Sequence, residues 1–167
     1  MLNNPTIEKL KDLKLKVMAQ MMSDPDNSLR ELSFEERLGI MVEKEWIHKK
    51  NSRIQRLLRN ASLGLNASIE DIDYTTERTI DKKTIKILST CSFIEQKLNL
   101  VISGRTGSGK TYLACALGNA ACRHGYSVKY FRIPEPLLEI QEAKNQNRYP
   151  KFMTSLQNIK LLILDDL

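Results

Sequence analysis

The chain has 167 residues, a formal net charge of +6 and 28% charged residues, a make-up that suits a soluble globular protein with room for one domain, or for a small helical module plus part of a larger domain. The positive balance fits contact with an anionic partner but does not say which. No apolar run approaches the ~20 residues of a membrane helix and the N-terminus lacks a signal-peptide core, so the expectation is no membrane partner and a cytoplasmic location.

In chain order, Asn4 before Pro5 predicts a helix start, with the asparagine as cap and the proline in the first turn. Ile7, Leu10, Leu13 or Lys14, Val17 and Met21 keep helical spacing and predict one short amphipathic helix that ends at Ser23-Asp24-Pro25-Asp26. Ser33-Phe34-Glu35-Glu36 is a capping box that opens a second helix reaching about Asn60. Its apolar stripe is Leu38, Met41, Val42, Trp46 and Ile47, with Trp46 expected in the core. Lys44, Lys49, Lys50, Arg53, Arg56 and Arg59 make a basic tract along it, either a solvated face or a surface for DNA phosphates or an acidic partner. Leu63-Gly64-Leu65-Asn66 breaks the pattern, the polar stretch 67–79 reads as a loop or short helix with a linker, and Asp81 caps a helix from Lys82 to about Phe93. Cys91, Cys115 and Cys122 are odd in number and lack metal-type spacing, so they read as buried reduced thiols.

The next stretch organises the rest. Residues 98–103 read as a short buried strand, and Gly104-Arg105-Thr106-Gly107-Ser108-Gly109-Lys110-Thr111 fits G-x-x-x-x-G-K-[ST] at every fixed position. The apolar run that begins at Tyr112 continues as an amphipathic helix that stops at Gly125. Strand, glycine loop and helix in this order predict a polyphosphate site. Gly104, Gly107 and Gly109 let backbone N–H groups turn inward at a helix N-terminus, Lys110 reaches the β- and γ-phosphates, and Thr111 ligates Mg²⁺. A dinucleotide loop fits less well, because the third glycine of that pattern is missing.

Downstream, 127–132 reads as a strand, 137–143 and 152–156 as helical, and 160–164 as a continuous apolar strand running into Asp165-Asp166. Strand-helix alternation with unbroken apolar strands predicts an α/β fold with a parallel sheet covered on both faces. Parallel strands end on one edge, which brings Asp165 beside the loop as a Walker B metal ligand and places Asp166 to orient or deprotonate an attacking water.

Ser33-Phe34-Glu35-Glu36-Arg37-Leu38, Glu45-Trp46, Glu70-Asp71-Ile72-Asp73-Tyr74, the loop through Ala114, Gly125 to Arg132, and Leu161-Leu162-Ile163-Leu164-Asp165-Asp166 together resemble the IstB-like transposition helper ATPases over almost the whole chain. The resemblance implies an AAA+ ATPase related to the DnaC-type helicase loaders. Such a protein has a helical N-terminal module (1–78), a connecting helix and linker (79–97), and the first half of a three-layer P-loop motor (98–167), with ATP and Mg²⁺ as cofactors. It further implies a transposase, double-stranded DNA and further copies of the chain as partners. In that family a sensor strand lies between the Walker A and Walker B strands, and it and the arginine finger follow the paired aspartates, so a chain read only to Leu167 is expected to lack them and to hydrolyse ATP poorly. Alternatives from the residues are a helicase loader, a small-molecule kinase using the same loop, and a non-hydrolysing fragment that keeps only partner binding.

Overall fold

The computed structural model describes residues 5–23, 31–74 and 81–166. The Asn4 cap, the stop at 24–26 and the end of the 67–79 stretch lie outside them. Contacts divide the chain into two compact units, Met1–Arg53 and Ile54–Leu167.

In the first unit the single predicted N-terminal helix is two, α1 (Pro5–Asp12) and α2 (Lys16–Ser23). The break is a Schellman turn: Lys14 adopts φ 59°, the Leu15 amide reaches the Leu10 carbonyl at 2.8 Å, and the Lys14 amide reaches Lys11 at 2.9 Å. Helical spacing survives such a turn, which is why the pattern concealed it. The capping box forms as expected. The Glu36 amide donates to Ser33 Oγ and the Ser33 amide donates to Glu36 Oε2 at 2.8 Å, and the hydrogen bonds from Ser33 hold the Glu36 carboxyl below its usual range. From there α3 runs Phe34–Ala61.

Trp46 is not core; it is 56% exposed, with the Lys50 ammonium 4.9 Å from its ring centre. Glu45 takes the inward place at 3% exposure, because its Oε2 accepts from the Val17 and Met18 amides at 2.7 and 3.1 Å and so caps α2 from a distant helix.

In the second unit a 3-10 turn (Ile69–Asp71) precedes α4 (Lys82–Leu88) and α5 (Ser92–Glu95). Asp81 caps α4 through the Lys83 amide, but the helix breaks before Phe93, where Cys91 takes φ 60°. Then come α6 (Lys110–Arg123), β1 (Val128–Arg132), α7 (Glu135–Asn145), α8 (Tyr149–Gln157) and β2 (Leu161–Asp165). β1 and β2 pair in parallel, Val128 against Leu161 through Arg132 against Asp165. The result is a helix-rich α/β structure with a two-stranded parallel sheet.

Two sequence expectations are corrected here. Residues 98–103 form no strand, and Val101 is 86% exposed. Nor is the sheet covered on both faces, since Leu162 and Leu164 remain exposed. The reason is common to both: among the described residues β2 pairs only with β1, so 98–103 has no ladder to join, and an apolar run without a partner strand is not a strand.

The core lies under α6, which buries Leu113, Cys115, Ala116, Leu117, Ala121 and Cys122 and packs on both strands. All three cysteines are free and buried; burial, aided by Cys91, pushes the Cys122 thiol up to about 11. They are packing groups, uncharged at neutral pH.

Candidate nucleotide site

The loop leads directly into α6. Gly107 and Gly109 take φ +78° and +91°, conformations that L side chains adopt only at a cost, and Gly109 stands at the N-cap of α6. The Ser108 amide donates to the Arg105 carbonyl at 3.2 Å, closing the turn. The Lys110 ammonium folds back onto the Gly104 and Arg105 carbonyls, at 3.0 Å each. Gly104, Arg105, Thr106, Gly107 and Ser108 are exposed, so the loop faces solvent with a cation tethered over it.

One helical residue further, Thr111 lines the same cleft as Asp165 at the end of β2, and its side chain helps to lower the Asp165 carboxyl. This shared cleft joins the two sequence motifs. Burial pushes the Asp165 carboxyl up, but hydrogen bonds from Thr111, Tyr130 and the Asp166 amide and the nearby Arg132 charge outweigh it, leaving the group below the ordinary aspartate range. It is therefore ionised at neutral pH. A hydroxyl and a carboxylate side by side are hard oxygen donors, and they fit Mg²⁺.

Two residues that sequence reasoning passed over hold the acidic pair. Tyr130 donates its hydroxyl to Asp165 Oδ2 at 2.8 Å, and burial followed by that hydrogen bond moves the phenol well above the usual tyrosine range. Arg132 Nε donates to Asp166 Oδ2 at 2.6 Å, and Asp166 itself sits at φ 58°. Tyr130 and Arg132 stand two apart on β1, and so on one face, opposite Ile163 and Asp165 in the register; the strand period gives that shared face but not the strand it meets. Gly64 makes room for this, since a Cβ there would meet the Tyr130 hydroxyl at 2.8 Å.

A cleft of about 560 Å³ lies here, walled by Thr111, Tyr130, Arg132, Asp165 and Asp166 among others. The structure thus brings Thr111 and Asp165 to one cleft. Asp166 turns to Arg132, while Lys110 stays with the loop carbonyls and does not line this cleft.

Comparison with known proteins agrees with these motifs. Residues 8–167 match the family model described as IstB-like ATP binding protein. The chain is 36% identical to an ATP-binding protein, so named, of insertion sequence IS1162 from Pseudomonas fluorescens, over 99% of the chain and 73% of that protein. It is 38% identical to the insertion-sequence ATP-binding protein y4pL of Sinorhizobium fredii, over 99% of the chain and 69% of that protein. With a family match that takes in both the loop and the acidic strand end, the chain belongs to the IstB-like ATP binding protein family.

Proposed function

We propose that this chain binds ATP with Mg²⁺ at the loop from Gly104 to Thr111 and serves as an ATP-dependent helper of a transposase acting on double-stranded DNA. The observation that carries the reading is that Thr111 and Asp165 line one cleft, which sets the two metal-ligand types of a P-loop site beside each other.

In this reading the amides of Gly104, Arg105, Thr106, Gly107, Ser108 and Gly109 cradle the phosphates, and Lys110 supplies the positive charge toward the β- and γ-positions. Thr111 and Asp165 hold Mg²⁺, which when bound offsets the negative charge of the phosphates. Asp166 orients or deprotonates the attacking water once it leaves Arg132. Residues 1–78 form the partner-binding module, 79–97 the connection, and 98–167 belong to a three-layer P-loop ATPase domain of the AAA+ kind that assembles with further copies. The insertion-sequence names of the relatives favour a transposase over a replicative helicase as partner. Lys44, Lys49, Lys50, Arg53, Arg56 and Arg59 are all exposed on α3, which supports contact with DNA phosphates.

The test is a titration of a fluorescent ATP analogue, with Mg²⁺, into the chain and its Lys110→Ala variant. Losing a charged hydrogen-bonding group should weaken binding roughly 10- to 100-fold. Equal affinity of the two proteins would contradict the assignment.

A further inference from the structure

The phenol of Tyr130 is held in a fitted slot. Its ring is 9% exposed and belongs to the cluster of Ala67, Cys115 and Ala116, with Leu63 and Ile163 packed against it. Gly64 closes the slot at the hydroxyl end, where a Cβ would come within 2.8 Å of the hydroxyl oxygen and 2.9 Å of the carbon that bears it. The break after α3 at Leu63-Gly64-Leu65-Asn66 is thus one wall of the slot. A ring confined in this way keeps its hydroxyl 2.8 Å from Asp165 Oδ2, and Gly64, Tyr130 and Asp165 all line the 560 Å³ cleft.

The consequence falls on Asp165. A carboxylate has two oxygens, and here Oδ2 accepts the phenol proton, whose partial positive charge points at it. A cation that draws on both oxygens has to face or displace that proton, whereas a cation that needs one oxygen does not. Divalent cations differ in this demand. Mg²⁺ insists on near-octahedral geometry and keeps several waters, while the larger Ca²⁺ gathers more oxygen ligands and readily takes both oxygens of one carboxylate.

We propose that Tyr130, seated against Gly64, sets the cation choice of this site: by holding Oδ2 it leaves Asp165 one oxygen for the metal, which suits Mg²⁺ and withholds from Ca²⁺ the second oxygen it would take. Tyr130 acts through Asp165 and not on the metal, which makes it a positioning residue, and this role rests on the reading of Asp165 as a metal ligand. Without the hydroxyl the carboxylate is free to turn about its last side-chain bond, a torsion with broad minima, and to present both oxygens. The preference then relaxes toward Ca²⁺.

Calorimetric titration of a non-hydrolysable ATP analogue into the full chain, in EDTA, in saturating Mg²⁺ and in saturating Ca²⁺, gives the gain in affinity that each cation brings. The nucleotide's own affinity for each cation is common to all variants and cancels between them. The unaltered chain is expected to gain more from Mg²⁺ than from Ca²⁺. Tyr130→Phe should lower the ratio of the two gains roughly tenfold, the worth of one hydrogen bond to a charged group, with the affinity in EDTA unchanged. Gly64→Ala, which pushes on the hydroxyl from behind, should lower the ratio in the same direction, and combined with Tyr130→Phe it should lower it no further. Tyr112→Phe is the control: its hydroxyl lies in the same cluster but reaches the Ser68 carbonyl at 3.4 Å rather than Asp165, so its ratio should match that of the unaltered chain. Unchanged helical circular dichroism confirms that each variant folds. A Mg²⁺ gain whose ratio to the Ca²⁺ gain survives Tyr130→Phe, or a Tyr130→Phe that weakens binding equally in all three conditions, would overturn the proposal and leave the metal-ligand reading standing. No gain from either cation in the unaltered chain would overturn both.

Discussion

The two flanks of the phosphate loop make an instructive pair. On one side α6 carries Leu113, Cys115, Ala116 and Leu117 into the core; on the other, 98–103 is equally apolar, yet Val101 stands 86% exposed. A helix closes its own hydrogen bonds and needs only one apolar surface to pack on, whereas a strand needs a neighbour for its backbone as well. Among the described residues β1 supplies that neighbour for β2, and nothing supplies it for 98–103. The loop is consequently anchored mainly through its helical side, with Ile102 the one residue of 98–103 that packs on the Ile85, Leu113 and Leu117 cluster.

The sharpest way to break the comparison is a pair of truncations. Leu117→Ala, at a position 2% exposed, should cost about 2–5 kcal/mol of unfolding free energy through lost burial and the cavity left behind. Val101→Ala on the other flank should change stability by less than about 0.5 kcal/mol. Urea unfolding of the two variants measures both; similar losses would mean that Val101 is packed after all.

A smaller effect is expected where the anchored side meets the acidic pair. Tyr130→Phe removes one of the hydrogen bonds that lower the Asp165 carboxyl and should cost about 1 kcal/mol near neutral pH. Because the folded Asp165 lies below its unfolded value, its contribution is fully present above the unfolded aspartate range near pH 4 and is lost as pH falls through the lower folded value. With Tyr130→Phe that folded value moves back up toward the unfolded one, so the acid loss of stability should begin at the same pH but be smaller and end at higher pH. Unfolding curves between pH 3 and pH 7 that keep their shape would show that the Tyr130 hydroxyl does not bear on Asp165.

What was legible in the sequence follows the same division. Features decided within a few residues read correctly: the Ser33-Glu36 box, the Asp81 cap, the Gly125 stop at the end of α6, and both paired strands to within a residue of their ends. Features decided by a distant partner did not. Glu45 is buried and Trp46 exposed because the α2 amides need a carboxylate, a demand that no local periodicity in α3 records. Lys14 and Cys91 adopt left-handed turns without the glycine that ordinarily announces them. At the site, the glycine loop and the paired aspartates carry their own spacing, while Tyr130 and Arg132 became visible only once the register of β1 against β2 was known.

The claim at the centre of this account is that the glycine loop and the end of β2 form one nucleotide site, joined at Thr111 and Asp165. Its most direct test is the Mg²⁺ dependence of nucleotide affinity, measured by calorimetry with and without the metal for the chain, Thr111→Ala and Asp165→Asn. The account predicts that Mg²⁺ tightens nucleotide binding to the unaltered chain, and that each variant keeps its metal-free affinity but loses most of that gain. A full Mg²⁺ gain in Asp165→Asn, or no nucleotide binding by the unaltered chain, would contradict it.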